Sequence, residues 1–512
     1  MTHPFRRPAA LLTLALLVTR LPAQDNAPSA VPTRPLLAPA PAGDVPPPPA
    51  TELVLPSGPE LTLQECITRA LNKNFDLEIG RYGPQIAKDS IITAKSGFET
   101  QLSVTGSTGK NTGPGTSSRT SDLRVGVSQK LYTGTTVSAS SRLDRSSSDP
   151  AFSTLNPAYD ADLTLSVRQP LLSGFGLGVN RAGIERAQIG FLRANLDFKS
   201  TVLDVIQATE NAYYNLAFAR EQLVVRNFSF ALANKLFDEA KIRRDTGVAT
   251  NLDVLQAEVG VANARRNVIL AEQSVKDRQD GLLALIGQFE LESALGTVRF
   301  SEVGEAIPLY ASSYQLATQN QPDFLSSRAA IDQLKLDLKL AKDAAKPDLT
   351  VGAALGLSGT NGSGRDAFND ALDRQSHSWQ VDFAFNYPWG RPSDRARERQ
   401  SLATLNREQV RLRQIEQSIE LQVRSAVRSV ETNLESVKIA TLASNLSQKQ
   451  YELEKARFDA GESTSRRVLE AQDDLETARV SELQAKVSLR AAITALHRIE
   501  GSSLQRYAVR LP

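Results

Sequence analysis

Among its 512 residues the chain has a single cysteine, Cys66, and a single methionine, Met1. One cysteine excludes an internal disulfide, and excludes a cysteine-based zinc site within one chain. The three histidines, His3, His377 and His497, are too few for a histidine-rich metal centre or for Ser–His–Asp chemistry. Cys66 falls on the apolar pattern of Leu63, Ile67 and Leu71, and so reads as a small core residue. Neither sign of charge is in excess. The formal net charge is +2, which implies no nucleic-acid surface. The chain lacks the Gly-x-x-x-x-Gly-Lys-Ser/Thr loop that cradles a nucleotide phosphate. Acidic pairs such as Asp473 and Asp474 lie on a polar helical face. These absences point away from an enzyme and from any metal or cofactor.

Long apolar runs are also scarce. The one at residues 9–18 follows Arg6 and Arg7, and at about ten residues it is too short to span a bilayer. Residues 1–23 are expected to be a signal peptide cleaved after Ala23. Residues 24–60, rich in Pro and Ala and including the prolines at 46–49, are expected to form a disordered or polyproline tether. No other run approaches ~18 apolar residues, so any membrane crossing must be made by a β-barrel.

What the chain does have is itself, twice. Gly247 matches Gly461, Leu255 matches Leu469, Ala257 matches Ala471 and Gly287 matches Gly501, all at an offset of 214. Nearer the start of each unit the offset is 247: Asp76 with Asp323, Arg81 with Arg328, Leu102 with Leu349, Val104 with Val351. The offsets differ by 33, so the first unit carries an insertion between its first strand and its long helix. Residues 121–145 fall in it, alternating Leu123, Val125 and Val127 before Gly134 and Val137 and Ala139 after it. That pattern predicts an extra β-hairpin, which either joins the barrel or caps it.

The expected organisation is repeat unit 1 over 61–287, an inter-repeat segment over 288–312, repeat unit 2 over 313–501 and a tail over 502–512. Each unit reads as a helix (61–95 and 313–345), a strand (98–107 and 348–357) and a returning strand closed by Pro170 or Pro388. A long helix (181–244 and 394–459), a glycine turn and a last helix (249–286 and 463–498) follow. The first long helix has about 64 residues, hence ~96 Å, and two half-length helices stacked end to end match it. Val202, Leu216, Leu223, Phe230 and Phe237 repeat every seven residues, with Thr209 as the polar exception. Leu405, Leu412, Ile419 and Ala426 do the same before the register shifts to Val430 and Val437. Seven-residue spacing makes supercoiled seams. A soluble antiparallel coiled coil, serving as a periplasmic adaptor or structural tether, would share that pattern. The strands argue against it: they alternate over nine or ten residues, the length of a tilted transmembrane strand. Two hairpins leave unpaired edges, so closure calls for several chains in a ring.

The order of these parts resembles the TolC-like outer-membrane efflux proteins over about residues 61 to 501. The stretches that carry the resemblance are Leu61-Thr-Leu-Gln-Glu-Cys-Ile-Thr-Arg-Ala-Leu-Asn-Lys-Asn, Gln169-Pro-Leu-Leu-Ser-Gly-Phe-Gly176 and the two glycine tips. The resemblance implies a mixed fold. Internally duplicated long helical hairpins would build a periplasmic α-barrel, and β-hairpins would contribute to a shared trimeric barrel in the lipid of the outer membrane. It implies a passive exit duct for tripartite efflux or type I secretion, extending from the outer membrane into the periplasm. Its partners would be a periplasmic adaptor and an inner-membrane pump or ABC exporter, its cargo a drug, metal or protein. Segment 288–312 and the tail would form a belt around mid-helix. Gly247 and Gly461 would sit at the periplasmic tips that meet the adaptor. Family members pair an Asp six residues past the first tip glycine with an Arg two past the second. Asp253 matches, but the Arg position is Ser463, leaving Arg466 and Arg467 as substitutes. The family's inward acids six and nine past the second glycine correspond to Arg467 and Glu470, so one charge is reversed in this entrance constriction.

Overall fold

The computed structural model describes residues 61–149, 154–287, 296–298, 300, 307–373, 376–387 and 389–509. The expected signal peptide, the tether, most of the inter-repeat segment and Pro388 lie outside them.

Unit one opens with α1 (Leu63–Lys73) and α2 (Phe75–Ser96), two helices where one was expected. The break is Asn74, held extended at φ −71° and ψ 131°, its side chain accepting hydrogen bonds from the Asp76 and Leu77 amides. Asparagine competes for local amides and so favours caps over helix interiors. The break recurs 247 residues later. Gln321 stands extended between α6 (Tyr310–Asn320) and α7 (Pro322–Ala344), with Pro322 starting the second helix. Apolar periodicity runs through both breaks and hides them.

The strands of unit one are β1 (Gln101–Gly113), β2 (Thr116–Lys130), β3 (Thr136–Asp149) and β4 (Ala158–Pro170). A short α3 (Leu177–Asn180) leads into the 64-residue α4 (Ala182–Asp245), then α5 (Asn251–Leu285) returns. In unit two, β5 (Asp348–Asn361) and β6 (Ser376–Asn386) flank a helix absent from the sequence reading, α8 (Gly364–Leu372). Then come the 68-residue α9 (Pro392–Asp459), α10 (Ser465–Glu500) and the short α11 (Ser503–Arg506).

The six strands among the described residues form one antiparallel sheet in the order β1-β2-β3-β4-β5-β6. The hairpin β2–β3, which contains residues 121–145, therefore lies within the sheet and does not fold over it. Its turn is fixed at the helical end. Gly134, at φ +94°, leaves no room for a side chain against the Gly174 carbonyl and Asn180, and the Gly176 amide donates to the Thr133 carbonyl at 3.1 Å.

The helices pack around two cores at mid-length of the long helices. The first gathers Cys66, Ile67, Leu77, Val202, Leu203, Ile206, Leu216, Leu282 and Ile286, and the tail residues Leu504, Tyr507 and Val509 pack on it. Cys66 has no exposed surface, and burial pushes its thiol up to about 12. The second core sets Ile419, Val423, Val427 and Val430 against Ala317, Leu489 and Leu496. Thr209, the polar exception in the heptad grid, is fully buried, and its hydroxyl donates to the Val205 carbonyl at 2.8 Å. One half of α4 meets α7 through the Arg186–Asp337 pair, and the end of α6 through Lys199, which donates to the Asn320 carbonyl at 2.9 Å. The other half meets α10, through the Arg226–Glu476 pair and Gln472 donating to the Ser229 carbonyl at 2.8 Å.

Candidate functional site

Two places carry the functional geometry: the sheet and the helical tips. The pairing register sorts the sheet into two faces. Leu102, Val104, Leu123, Val125, Val127, Val137, Ala139, Leu163, Leu165, Val167, Leu355, Leu357, Trp379, Val381, Phe383 and Phe385 share one face. Most of these larger apolar side chains are exposed, Trp379 and Phe383 each at 74%. An apolar area of this extent facing outward needs a non-aqueous neighbour. The opposite face holds Asp122, Arg124, Arg142, Asp144, Asp160, Asp162, Arg168 and Asp382. Arg142 bridges Asp122 at 3.3 Å and Asp144 at 3.5 Å. Tyr387 and Trp389 follow β6 at the helical end, Tyr387 stacked on Phe385 at 6.4 Å. Aromatic rings placed there suit a membrane–water boundary. The sequence showed the alternation, but not that charges from separate strands would align on one face.

At the other extremity the chain turns twice. α4 ends when Gly247 takes φ +77°, and the Val248 amide reaches back to the Arg243 carbonyl at 2.8 Å. α9 ends when Gly461 takes φ +80°, and the Glu462 amide reaches the Arg457 carbonyl at 2.9 Å. A glycine in the left-handed region closing these bonds ends a helix without a side-chain clash. Asp253 sits in a capping box. Its Oδ2 accepts from the Thr250 amide at 2.8 Å and from the Thr250 hydroxyl at 2.7 Å, and its own amide donates to Thr250 Oγ1 at 3.3 Å. The Thr250 backbone bond, then the hydroxyl bond, hold the carboxyl below its usual range. Arg466 pairs with Glu470 at 2.9 Å, both strongly exposed. Arg467 makes no ion pair among the described residues, and Ser463 donates to Glu454. Of the charged residues named from the sequence, Arg466 and Glu470 thus come together within one chain, whereas Asp253 is bound to Thr250, which the sequence reading did not name. The two tips are tied nearby. Arg243 of α4 lies 3.9 Å over the Phe458 ring of α9, and Leu236, Tyr451, Val468 and Leu475 pack together.

No helix among the described residues is long and apolar enough to cross a membrane. A duplicated pair of long helical hairpins, joined to a sheet with an apolar exposed face and a charged opposite face, defines an outer-membrane channel protein. The chain belongs to the outer membrane efflux protein family, whose model matches residues 66–288 and 313–502. Among curated relatives, the pyoverdine export outer membrane protein OpmQ of Pseudomonas aeruginosa is 26% identical over 340 residues, covering 64% of this chain and 67% of its own length. The outer membrane efflux protein BepC of Brucella suis is 24% identical over 433 residues, covering 83% and 82%. Among solved structures, the CmeC outer membrane channel of Campylobacter jejuni superposes with TM-score 0.65 at 17% identity, covering 88% of this chain and 90% of that one. VceC of Vibrio cholerae gives 0.65 at 16% identity, covering 86% and 96%. The fold is that of these channels, and the protein is an outer-membrane exit duct for efflux. A soluble adaptor or tether fits neither the sheet nor the family.

Proposed function

We propose that three copies of this chain close one barrel of eighteen strands and one helical tunnel, and that cargo passes through without bond chemistry. The observation that carries this reading is the sheet's pair of free edges. Among the described residues β1 and β6 each pair on one side only, and such edges are satisfied when β6 of one copy pairs with β1 of the next. The helices support it too. Leu252, Leu255, Val259 and Ile269 on α5 and Leu442, Leu446 and Leu453 on α9 are exposed in the single chain, as seams awaiting neighbouring helices would be. Three chains of six strands reach the strand number at which barrels hold an aqueous channel.

In this reading Gly247 and Gly461 mark the end that meets a periplasmic adaptor, which couples the duct to an inner-membrane pump or ABC exporter. Asp253, Arg466, Arg467 and Glu470 ring the entrance, and across the subunit boundary Asp253 has Arg466 and Arg467 as its cationic counterparts. Images of detergent-extracted particles test the assembly. The expected result is three-fold symmetry, eighteen strands and a helical tube of roughly 100 Å. A monomeric particle, or a barrel that excludes β2 and β3, would overturn it.

A further inference from the structure

Helix α8 lies on the same face of the sheet as the apolar band. Its Ala367 and Ala371 are buried on Ala161, with Leu143 and Tyr159 beside them. Ala161 pairs with Gly359 and with Leu143, and two residues along β4 stands Leu163. All belong to the apolar face. Gly359 makes the seat: a side chain there would run into the backbone of Ala367 and Ala371. The helix covers β5, β4 and the margin of β3, so it leaves both pairing edges of the sheet free. It is therefore neither a plug in the lumen nor a strap between copies.

Its height follows from the strand. Gly359 is ten residues from Leu349, the apolar residue nearest the helical end of β5. At ~3.4 Å per residue and a tilt of ~40°, that is ~26 Å along the barrel axis, against an apolar band ~25 Å tall in such barrels. α8 thus sits at the outer margin of the band. Around the helix, at 100° per residue, Phe368 and Leu372 flank the buried alanines on one side and Asp366 and Asp370 on the other. The acidic flank points to the strand ends, because Asn361 donates to Asp370 at 2.9 Å and Ser363 caps the helix through the Asp366 amide and carboxylate. The opposite flank, with exposed Phe368 and Leu372, consequently faces the band.

We propose that α8 is an interfacial membrane helix: it rests on the outside of the barrel and buries Phe368 and Leu372 in the outer-leaflet lipid, fixing the depth of the sheet. The proposal rests on the channel reading above. The partner is the acyl and glycerol zone of the lipid, not its charge, because within α8 Asp366 and Asp370 outnumber Arg365 and would not be drawn to anionic headgroups.

Spin labels test it in the full chain reconstituted into vesicles. Labels go on Phe368→Cys, Leu372→Cys, Asn369→Cys and Leu355→Cys separately, with buried Cys66 unreactive. Collision with oxygen, which favours lipid, is compared with collision with a water-soluble nickel chelate. Labels at 368 and 372 are expected to follow 355, favouring oxygen several-fold, while 369 favours the chelate. The pattern should be equal in vesicles of phosphatidylcholine alone and in vesicles containing one-third phosphatidylglycerol. If 368 and 372 behave like 369 while 355 stays in lipid, the helix inference is overturned and the barrel stands. If 355 is itself aqueous, the membrane-band reading falls and this inference falls with it.

Discussion

At the first tip the chain leaves α4 through Gly247 and enters α5 on a capping box closed by Thr250 and Asp253. At the second it leaves α9 through Gly461 and enters α10 on Thr464, whose side chain caps nothing. The glycine angles, +77° and +80°, are nearly equal. Both turns return their amides to the same carbonyl positions of the helix they leave. The backbone of such a tip therefore does not require a capping box. Glycine and the packing of the long helices suffice, and the polar side chains are an additional layer in which the copies have diverged. Asp253 spends its carboxylate on its own helix. Arg466 and Glu470 pair with each other and, like Arg467, are exposed to solvent, which leaves all three available to another chain.

The largest expected effect comes from uncoupling the two hairpins that carry the tips. Arg226 of α4 pairs with Glu476 of α10, which is 7% exposed, and desolvation lowers the affinity of the Arg226 guanidinium for its proton. Arg226→Ala leaves a buried carboxylate uncompensated and should cost about 2–3 kcal/mol, less than the ~3–5 kcal/mol of fully buried pairs because the arginine is partly exposed. Replacing both, Arg226→Met with Glu476→Leu, should recover most of it. Thermal unfolding of the reconstituted channel checks this. Equal losses in the single and double variants would show that the pair is not what joins the hairpins.

The glycines come next. Gly247→Ala and Gly461→Ala should each cost about 1–2 kcal/mol, the penalty of holding a side chain in the left-handed region. Neither site has a neighbour within 4 Å of an added Cβ, so the penalties should be alike. Hydrogen exchange of the tip amides should accelerate by a similar factor in both. A markedly larger change at one tip would mean that something besides backbone conformation holds it.

Asp253→Ala breaks the symmetry. It should destabilise the first turn of α5 by about 1 kcal/mol, while Arg467→Ala, at the matching place of α10, should be close to neutral. The effect should depend on pH. The carboxyl is held lower folded than unfolded, so its stabilisation is present above its unfolded value and is lost as pH falls through its folded value. Protection of the α5 amides, taken relative to the intrinsic exchange rate at each pH, should therefore fall on acidification in the native protein and not in Asp253→Ala. A pH response retained in the variant would assign it to another group.

The duplication and the long helices were legible in the sequence because glycine tips and seven-residue apolar spacing survive as letters at fixed offsets. The strands were legible by alternation, although β1 and β5 run to 113 and 361, well past the apolar part, through Gly-, Ser- and Thr-rich stretches whose alternation is too weak to read. Two features escaped. Asn74 and Gln321 interrupt helices without interrupting their apolar pattern, although an asparagine two and three residues before amides it can cap is a local signal. α8 escaped because it packs on Ala161, which lies about 200 residues earlier in the chain, and because its buried side chains are alanines. The signal that could have found it is Ser363 with Asp366, a cap motif within what otherwise reads as a loop. The charged face of the sheet needed the register, which alternation in single strands does not supply.

The smallest expected stability effect goes with the substitutions that test the proposed gate. Arg466 and Glu470 form an exposed i, i+4 pair, so Arg466→Ala should change stability by only about 0.3–0.5 kcal/mol. Arg467→Ala should change it less. If these side chains matter, they matter for the opening of the entrance, and the measurement is conductance of the purified channel in a planar bilayer. An entrance held shut by links from Asp253 to the arginines of α10 should leak more in Asp253→Ala and in Arg466→Ala with Arg467→Ala, although the arginine variant unfolds almost as the native protein does. Adding salt should imitate the substitutions, because exposed charges are screened beyond ~8–10 Å at 0.1–0.15 M. Unchanged closed-state conductance in all three substitutions would remove the gate from these residues. Asp253 would then keep only its capping role, and the divergence between the tips would reduce to one helix start with a box and one without.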